Sequence, residues 1–268
     1  MPSSPRLPEV SLVIPCYNEQ ECLRQTVTEL LDAFGGAGIA AELVLVDNGS
    51  RDQTGAIIDD LRNCGLPIVK VVVPVNLGYG HGILSGLKQC TAPLVGYLCA
   101  DGQVPAEAAA EVCRLARGAT VPVLAKVRRR FRKDSYQRKF VSVVYNLGMQ
   151  LAFGWLGSLD LNGSPKIMSR DSMIAMQLQS PDWFLDPEVM IKSKRLGLAI
   201  VEIDVEGKLR QGGSSNVRWT TCFEFLRNIL RYRFGSPLRG WSGLRKHSTR
   251  AYAAAAPQSS HDSVPLAR

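Results

Sequence analysis

The chain has 268 residues, 46% of them hydrophobic and 21% charged, a composition that excludes disordered and fibrous classes and allows one sizeable buried core. A net charge of +8 and a pI of about 9.2 point to an anionic partner: phosphates, an acidic membrane surface or nucleic acid. Seven cysteines, odd in number and without a C-x-x-C pair, fit neither a disulfide framework nor a zinc site and predict a reduced, cytoplasmic protein.

The N-terminal MPSSPRLPEV lacks the apolar stretch of a signal peptide. No apolar run reaches membrane-spanning length, and the nearest, 141–161, is broken by Asn146, Gln150 and several glycines. Residues 10–14 read as a buried strand, followed by Pro15-Cys16-Tyr17-Asn18-Glu19 and a helical pattern over 20–34 that Gly35-Gly36 stops. A second strand over 42–46 ends in Asp47-Asn48-Gly49-Ser50, and a helix over 55–62 leads to a third strand at 69–73. Asn76-Leu77-Gly78-Tyr79-Gly80-His81-Gly82 opens a third helix, and the run 94–98 enters Cys99-Ala100-Asp101-Gly102-Gln103. Strands alternate with helices across short connections, which predicts βαβ units and a mostly parallel α/β sheet. In such a sheet the polar turns after the strands share one edge, the edge where ligands bind.

The second half is less regular. A strand over 121–127 runs into the basic stretch 126–133, and a semi-apolar helix covers 135–156. Strands follow at 162–168 and 199–205, with a helix over 187–195 between them. Residues 208–216, KLRQGGSSN, read as a flexible basic loop. Trp219, Phe223, Leu226, Leu230 and Phe234 recur at helical spacing over 218–234, with Thr220, Glu224, Arg227, Asn228 and Arg231 opposite, making an amphipathic helix. The organisation expected is a catalytic domain over 1–216, a membrane-surface helix region over 217–246 and a disordered tail over 247–268.

These segments, in this order, resemble the family 2 glycosyltransferases of GT-A (Rossmann-like) fold, and among them the dolichyl-phosphate mannosyltransferase type of polyprenyl-phosphate sugar transferase. PCYNE (15–19), VDNGSRDQT (46–54), NLGYGHG (76–82), CADGQ (99–103), DLNGSPKIMSR (160–170) and RQGGSS (210–215) carry the resemblance. Three positions depart from it. Cys99 stands where the first aspartate of an acidic motif is usual, Asn48 replaces another aspartate, and Asn216 takes the place of a lysine.

The resemblance implies that Pro15, Tyr17, Glu19, Asp47 and Asn76 bind the nucleotide. It implies that Asp101, with Gln103, holds Mg²⁺ or Mn²⁺ against the donor diphosphate. A thiol at 99 suits those hard cations poorly, so the metal site is expected to be weak. His247 and His261 fall in the tail, leaving His81 alone in the globular part. A sugar-hydroxyl acceptor would need a carboxylate base, for which Asp186 or Glu188 in DWFLDPEVM are the candidates. A lipid phosphate is already ionised and needs cations instead, supplied by Arg210, Arg128 and Arg130, with Ser214 and Arg170 assisting.

The reading is an inverting transferase moving a sugar from a nucleotide-sugar donor to a polyprenyl phosphate. It works peripherally on the cytoplasmic membrane face, at an anionic surface, with a separate integral membrane protein as a further partner. Its rivals are a transferase to a saccharide hydroxyl and a nucleotide-sugar-binding protein that has lost catalysis through Cys99. Nucleic acid is not expected, because few aromatics accompany the basic run.

Overall fold

The computed structural model describes residues 7–130, 136–206, 219–238 and 241. Its strands are β1 (Val10–Cys16), β2 (Ala41–Asn48), β3 (Ile68–Val73), β4 (Leu94–Tyr97), β5 (Val123–Arg130), β6 (Lys166–Ser169) and β7 (Ala199–Glu206). They form one sheet in the order β3-β2-β1-β4-β6-β5-β7. The only antiparallel pairings recorded among the described residues are those of β6 with β4 and β5. The helices are α1 (Leu23–Gly36), α2 (Thr54–Asn63), α3 (Tyr79–Leu87), α4 (Ala106–Gly118), α5 (Tyr136–Phe153), α6 (Arg170–Met176), α7 (Leu185–Leu196) and α8 (Trp219–Phe234).

The continuous apolar runs of β1 and β2 follow from burial on both faces. Leu12, Ile14, Leu43 and Leu45 pack on one side with Leu23, Val27 and Leu30 of α1, Ile58 of α2 and Val112 of α4. Val13, Val44 and Val46 point to the other side, where α3 covers them with Ile83, in a cluster that continues to Val189 and Met190 of α7. The sheet is thus the middle of three layers, as the alternating pattern requires.

The expected elements all form, and the differences are local. The strand expected over 162–168 starts only at Lys166, because the chain turns first, with the Gly163 amide donating to the Asp160 carbonyl at 3.2 Å. Directly after it comes α6, which the sequence reading did not anticipate. It is short, and its start is fixed by the Ser169 hydroxyl accepting from the Ser172 amide at 3.2 Å.

On the inner side of α3, Gly86 lets the helix approach the sheet. A Cβ there would meet Val13 Cγ1 and lie 2.8 Å from Val46 Cγ2, both on stiff β-branched residues. Gly86→Ala should therefore cost about 1–3 kcal/mol by overpacking. Urea denaturation measures this, and an unchanged midpoint would mean that α3 can withdraw freely.

Candidate functional site

Register sets the site. Cys16 at the end of β1 pairs with Asp47 at the end of β2, and Val13 pairs with Tyr97, four residues before Asp101. The loops after β1, β2 and β4 therefore meet at one carboxyl edge. They are tied together there. The Asn18 carboxamide oxygen accepts from the Arg51 amide at 2.8 Å, the Glu19 amide donates to the Thr54 hydroxyl at 2.9 Å, and Gln20 and Asp52 join the same seam. Asn18 adopts a left-handed φ of 55° to make this turn. A cleft of about 340 Å³ opens along the seam between Glu19 and Arg51.

Asp47 uses one oxygen to accept from the Ser50 amide at 3.0 Å. Asn48, beside it, is buried, and its carboxamide nitrogen donates to Asn76 Oδ1 at 3.4 Å and to the Gly78 carbonyl at 3.1 Å. A carboxylate could donate to neither, so the departure from the family aspartate gives this chain a strap between the second and third loops. Asn76 is exposed, but its oxygen is committed within the loop, accepting also from the Gly78 amide at 2.9 Å. The glycines of the same motif serve a close approach: a Cβ on Gly80 would lie 2.7 Å from the Asp182 carbonyl. This contact brings 180–183 over α3, where Trp183 stacks on Tyr79 with centroids 4.4 Å apart.

Asp101 is held by its neighbours on both sides. The carbonyl of Ala100 accepts from the Thr26 hydroxyl at 3.2 Å and the Cys22 thiol at 3.4 Å, both on the α1 side. Asp101 Oδ1 accepts from the Gln103 amide at 3.2 Å, closing a turn in which Gly102 takes φ 62°. Pro15 and Tyr17 are half-buried at the same edge. Cys99 is also half-buried, in contact with the Tyr79 hydroxyl at 3.8 Å, and burial, with the charge of Asp101, pushes its thiol up to about 12. Near neutral pH it adds no charge to the site. Among the described residues, no group of three or more His, Cys, Asp or Glu is gathered to hold a metal. The donor set fits a cation shared with phosphate oxygens, where one carboxylate suffices, and does not fit an all-protein cage.

Behind this edge lies a cluster that the sequence reading did not assemble. The Asp186 carboxylate accepts from the Tyr97 hydroxyl at 2.9 Å and from the Lys166 ammonium, and all three side chains are buried. Burial, and then the charge of Asp186, pushes the Tyr79 and Tyr97 phenols well up. Lys126, also buried, donates to Glu202 at 2.8 Å and to the Asp160 carbonyl at 2.7 Å. Arg129 grips Asp160 with two guanidinium bonds of 2.9 and 2.8 Å and its own amide at 3.0 Å. The one sequence signal for this cluster was a lysine inside the apolar run VPVLAKV.

Several residues expected at the site are engaged elsewhere. Glu188 is fully buried, and its oxygens accept from Lys192 at 2.6 Å and from the Gln179 and Ser180 amides, so it pins the 177–184 loop and does not face the cleft. Arg170 stands at the opposite edge of the sheet. Ser169 pairs with Leu94 at the start of β4, and Arg170 donates to the carbonyls of Cys90 and Pro93, about a strand length of 10 Å or more from Asp101. Arg128 and Arg130 reach the correct edge, but both guanidinium groups pair with Asp204 of β7, at 2.6 and 3.0 Å. Arg210 and Ser214, with the rest of the 208–216 loop, lie outside the described residues, as do the whole of the expected tail and the side chains of Trp219 and Phe223.

The model of the family described as Glycosyl transferase family 2 matches residues 11–176. The chain belongs to glycosyl transferase family 2. Among its relatives, the chain is 36% identical over 148 residues to an undecaprenyl-phosphate 4-deoxy-4-formamido-L-arabinose transferase of Pseudomonas fluorescens, covering 54% of this chain and 42% of the relative. It is 28% identical over 210 residues to a dolichyl-phosphate beta-glucosyltransferase of Trichomonas vaginalis, covering 74% and 65%. The chain thus spans less than half the length of the first relative and about two thirds of the second. Glucosyl-3-phosphoglycerate synthase from Mycobacterium tuberculosis, solved with Mg²⁺ and UDP, shares the fold with a TM-score of 0.67 at 16% identity, over 85% of this chain and 80% of that one. The same synthase with Mn²⁺, UDP and phosphoglyceric acid superposes with a TM-score of 0.66 at 17% identity, over 85% and 80%. The architecture is the GT-A fold.

The Arg129–Asp160 pair gives a stability test with a definite sign. Burial alone would push the Asp160 carboxyl up, but the hydrogen bonds and charge of Arg129, with the charge of Lys126, hold it well below the usual carboxylate range. Its contribution is complete above the unfolded value of about 4 and fades as pH falls below that. Asp160→Asn should cost about 3–5 kcal/mol at pH 7, since it strands a buried guanidinium. The gap to wild type should narrow in acid, as denaturation at pH 7 and pH 3 would record. A gap that is constant with pH would mean that the carboxylate charge contributes nothing.

Proposed function

We propose that this protein is an inverting glycosyltransferase that moves a sugar from a nucleotide-diphosphate donor to a polyprenyl phosphate, working peripherally at the cytoplasmic face of a membrane. One observation carries the choice of acceptor. The two carboxylates that a hydroxyl acceptor would call on are engaged inside the protein, Glu188 by Lys192 and two amides, Asp186 by Lys166 and Tyr97. A phosphate acceptor is ionised near neutral pH and needs no such base. The names of the two relatives, transferases to undecaprenyl and dolichyl phosphate, support the same acceptor class.

In this reading Pro15 and Tyr17 pack beside the nucleobase, while Glu19 and Asp47 accept from base or ribose donors at the joined first and second loops. Asn76 contributes through the loop that it closes. Asp101 and Gln103 face the diphosphate, and a Mg²⁺ or Mn²⁺ ion shared with its oxygens would neutralise the charge that develops on the leaving group. The acceptor oxygen attacks the anomeric carbon opposite the diphosphate. The sugar–oxygen bond to the diphosphate breaks with its electron pair on the leaving oxygen, so no covalent enzyme intermediate forms. Asp186, held by Lys166 and Tyr97, stands behind this centre. Because Arg128 and Arg130 share Asp204, Arg210 becomes the principal cation for the acceptor phosphate, with Ser214 beside it in the sequence. A separate integral membrane protein would receive the lipid-linked sugar.

Asp101→Ala should remove nearly all transfer to a short-chain polyprenyl phosphate while leaving the thermal midpoint near wild type. Activity within about threefold of wild type would sink the assignment. Arg210→Ala should cost on the order of 10²-fold in turnover, about 2.7 kcal/mol. Transfer to a saccharide alcohol, unaffected by Arg210→Ala, would replace the lipid acceptor, and donor binding without any transfer would replace catalysis altogether. Cys99→Asp restores a hard ligand beside Asp101 and should lower the Mn²⁺ concentration needed for half-maximal activity. An unchanged metal titration would show that position 99 does not reach the ion.

A further inference from the structure

Helices α5 and α8 pack side by side and run in the same direction. The rings of Tyr145 and Phe225 are 4.5 Å apart, and a Cβ at Gly148 would lie 4.0 Å from Ile229 Cδ1, so 145 to 148 follows 225 to 229. One side of this pair faces the domain. Met149 and Tyr232 are buried there, Asn228 donates to Asp182 at 2.8 Å, and the Tyr232 hydroxyl meets Ser180 at 2.8 Å.

At about 100° per residue, Leu147 and Leu151 turn away from the α8 contact of α5, and Leu226, Leu230 and Phe234 turn away from the α5 contact of α8. In parallel helices those rotations are of opposite hand, and they bring both stripes to the same outer side. Leu151 is 80% exposed and Phe234 64%. Trp155 and Leu159, just beyond α5, are exposed as well. Leu226, Leu230 and Phe234, which spacing alone grouped together, thus do not form the inner face of α8, and Asn228, grouped with the polar side, is buried.

The charge around this strip is one-sided. Arg227 and Arg231 are exposed and follow Leu230 and Phe234 around α8, and the Arg233 guanidinium lies 5.8 Å over the Phe234 ring. Residues 136–159 contain no aspartate or glutamate, and residues 219–238 contain three arginines against the single Glu224. A two-helix apolar strip edged by arginines matches the headgroup boundary of an anionic leaflet, where apolar side chains enter and basic ones meet lipid phosphates. No helix among the described residues is long and apolar enough to cross a membrane. We infer that the outer α5–α8 face, centred on Leu151, Leu230 and Phe234, docks the protein onto an anionic bilayer surface. This face deepens the polyprenyl-phosphate reading and takes its purpose from it, because it would hold the domain beside a lipid acceptor.

The test uses the full chain and vesicles of phosphatidylcholine with or without phosphatidylglycerol, free of polyprenyl phosphate. Wild type should co-sediment with the anionic vesicles. Leu151→Glu with Phe234→Glu should weaken binding at least about tenfold, since two large apolar groups no longer enter the interface. The thermal midpoint and transfer to a water-soluble short-chain polyprenyl phosphate should be unchanged. A second variant, Arg227→Glu with Arg231→Glu, should lose the preference for phosphatidylglycerol and carries the test if the first does not fold. Equal co-sedimentation of wild type and variants, or no vesicle binding by wild type, overturns the inference. So does a wild-type dimer that the Leu151 and Phe234 changes split while vesicle binding persists. Vesicle binding without transfer to the short-chain acceptor would instead refute the acceptor reading and leave the docking face standing.

Discussion

Two lysines stand opposite each other as register partners on β5 and β6, and neither side chain reaches water. A buried ammonium is tolerated only when an anion and further acceptors surround it. Lys126 finds Glu202 of β7 with the carbonyls of Val127 and Asp160, and Lys166 finds Asp186 of α7. Burial, then repulsion from Lys166, brings Lys126 down to about 8, and the nearby acids keep it from falling further. The pairing requirement ties the outermost strand β7 and the helix α7 to the centre of the sheet. Much of the second half of the chain is arranged around those two charges.

The same constraint reaches the carboxyl edge. Asp160 turns its carbonyl to Lys126 and its carboxylate to Arg129, fixing the turn that returns the chain into β6. Asp186 sits under Tyr97, and α7 carries Glu188, whose oxygens hold the loop that places Trp183 over Tyr79. Tyr79 opens α3 and touches Cys99, two residues before Asp101. The loops that line the site are therefore buttressed by a connected set of polar contacts, which favours preorganisation over rearrangement.

Net charge is a poor guide to where cations are available. The basic run 126–133 suggests a phosphate-binding surface, yet Lys126, Arg128, Arg129 and Arg130 each contact a carboxylate. Cross-strand register explains it: Arg128 lies opposite Asp204, and Lys126 opposite Glu202. The exposed arginines of α8 lie beside apolar groups instead, and this suits them to an interface between water and lipid.

The sequence by itself determined the parallel half of the sheet and its edge. Apolar runs ending in Tyr17-Asn18-Glu19, Asp47-Asn48-Gly49 and Asp101-Gly102-Gln103 depend on local patterning, and parallel strands with short connections leave those turns only one place to meet. The family motifs were legible for the same reason, since each sits on one turn. Tertiary structure decided what depends on neighbours distant in sequence. Glu188 and Asp186, two residues apart on one helix, differ in role because Lys192 and two loop amides surround one, and Lys166 and Tyr97 hold the other. Arg170 follows an antiparallel strand, so its place at the far edge was set by a pairing direction that no local pattern encodes. The outward face of α8 was likewise undecided by its own periodicity. Asn228 is inside because Asp182 needs a donor, and Leu226, Leu230 and Phe234 are outside because Phe225, Ile229 and Tyr232 already meet α5 and the domain.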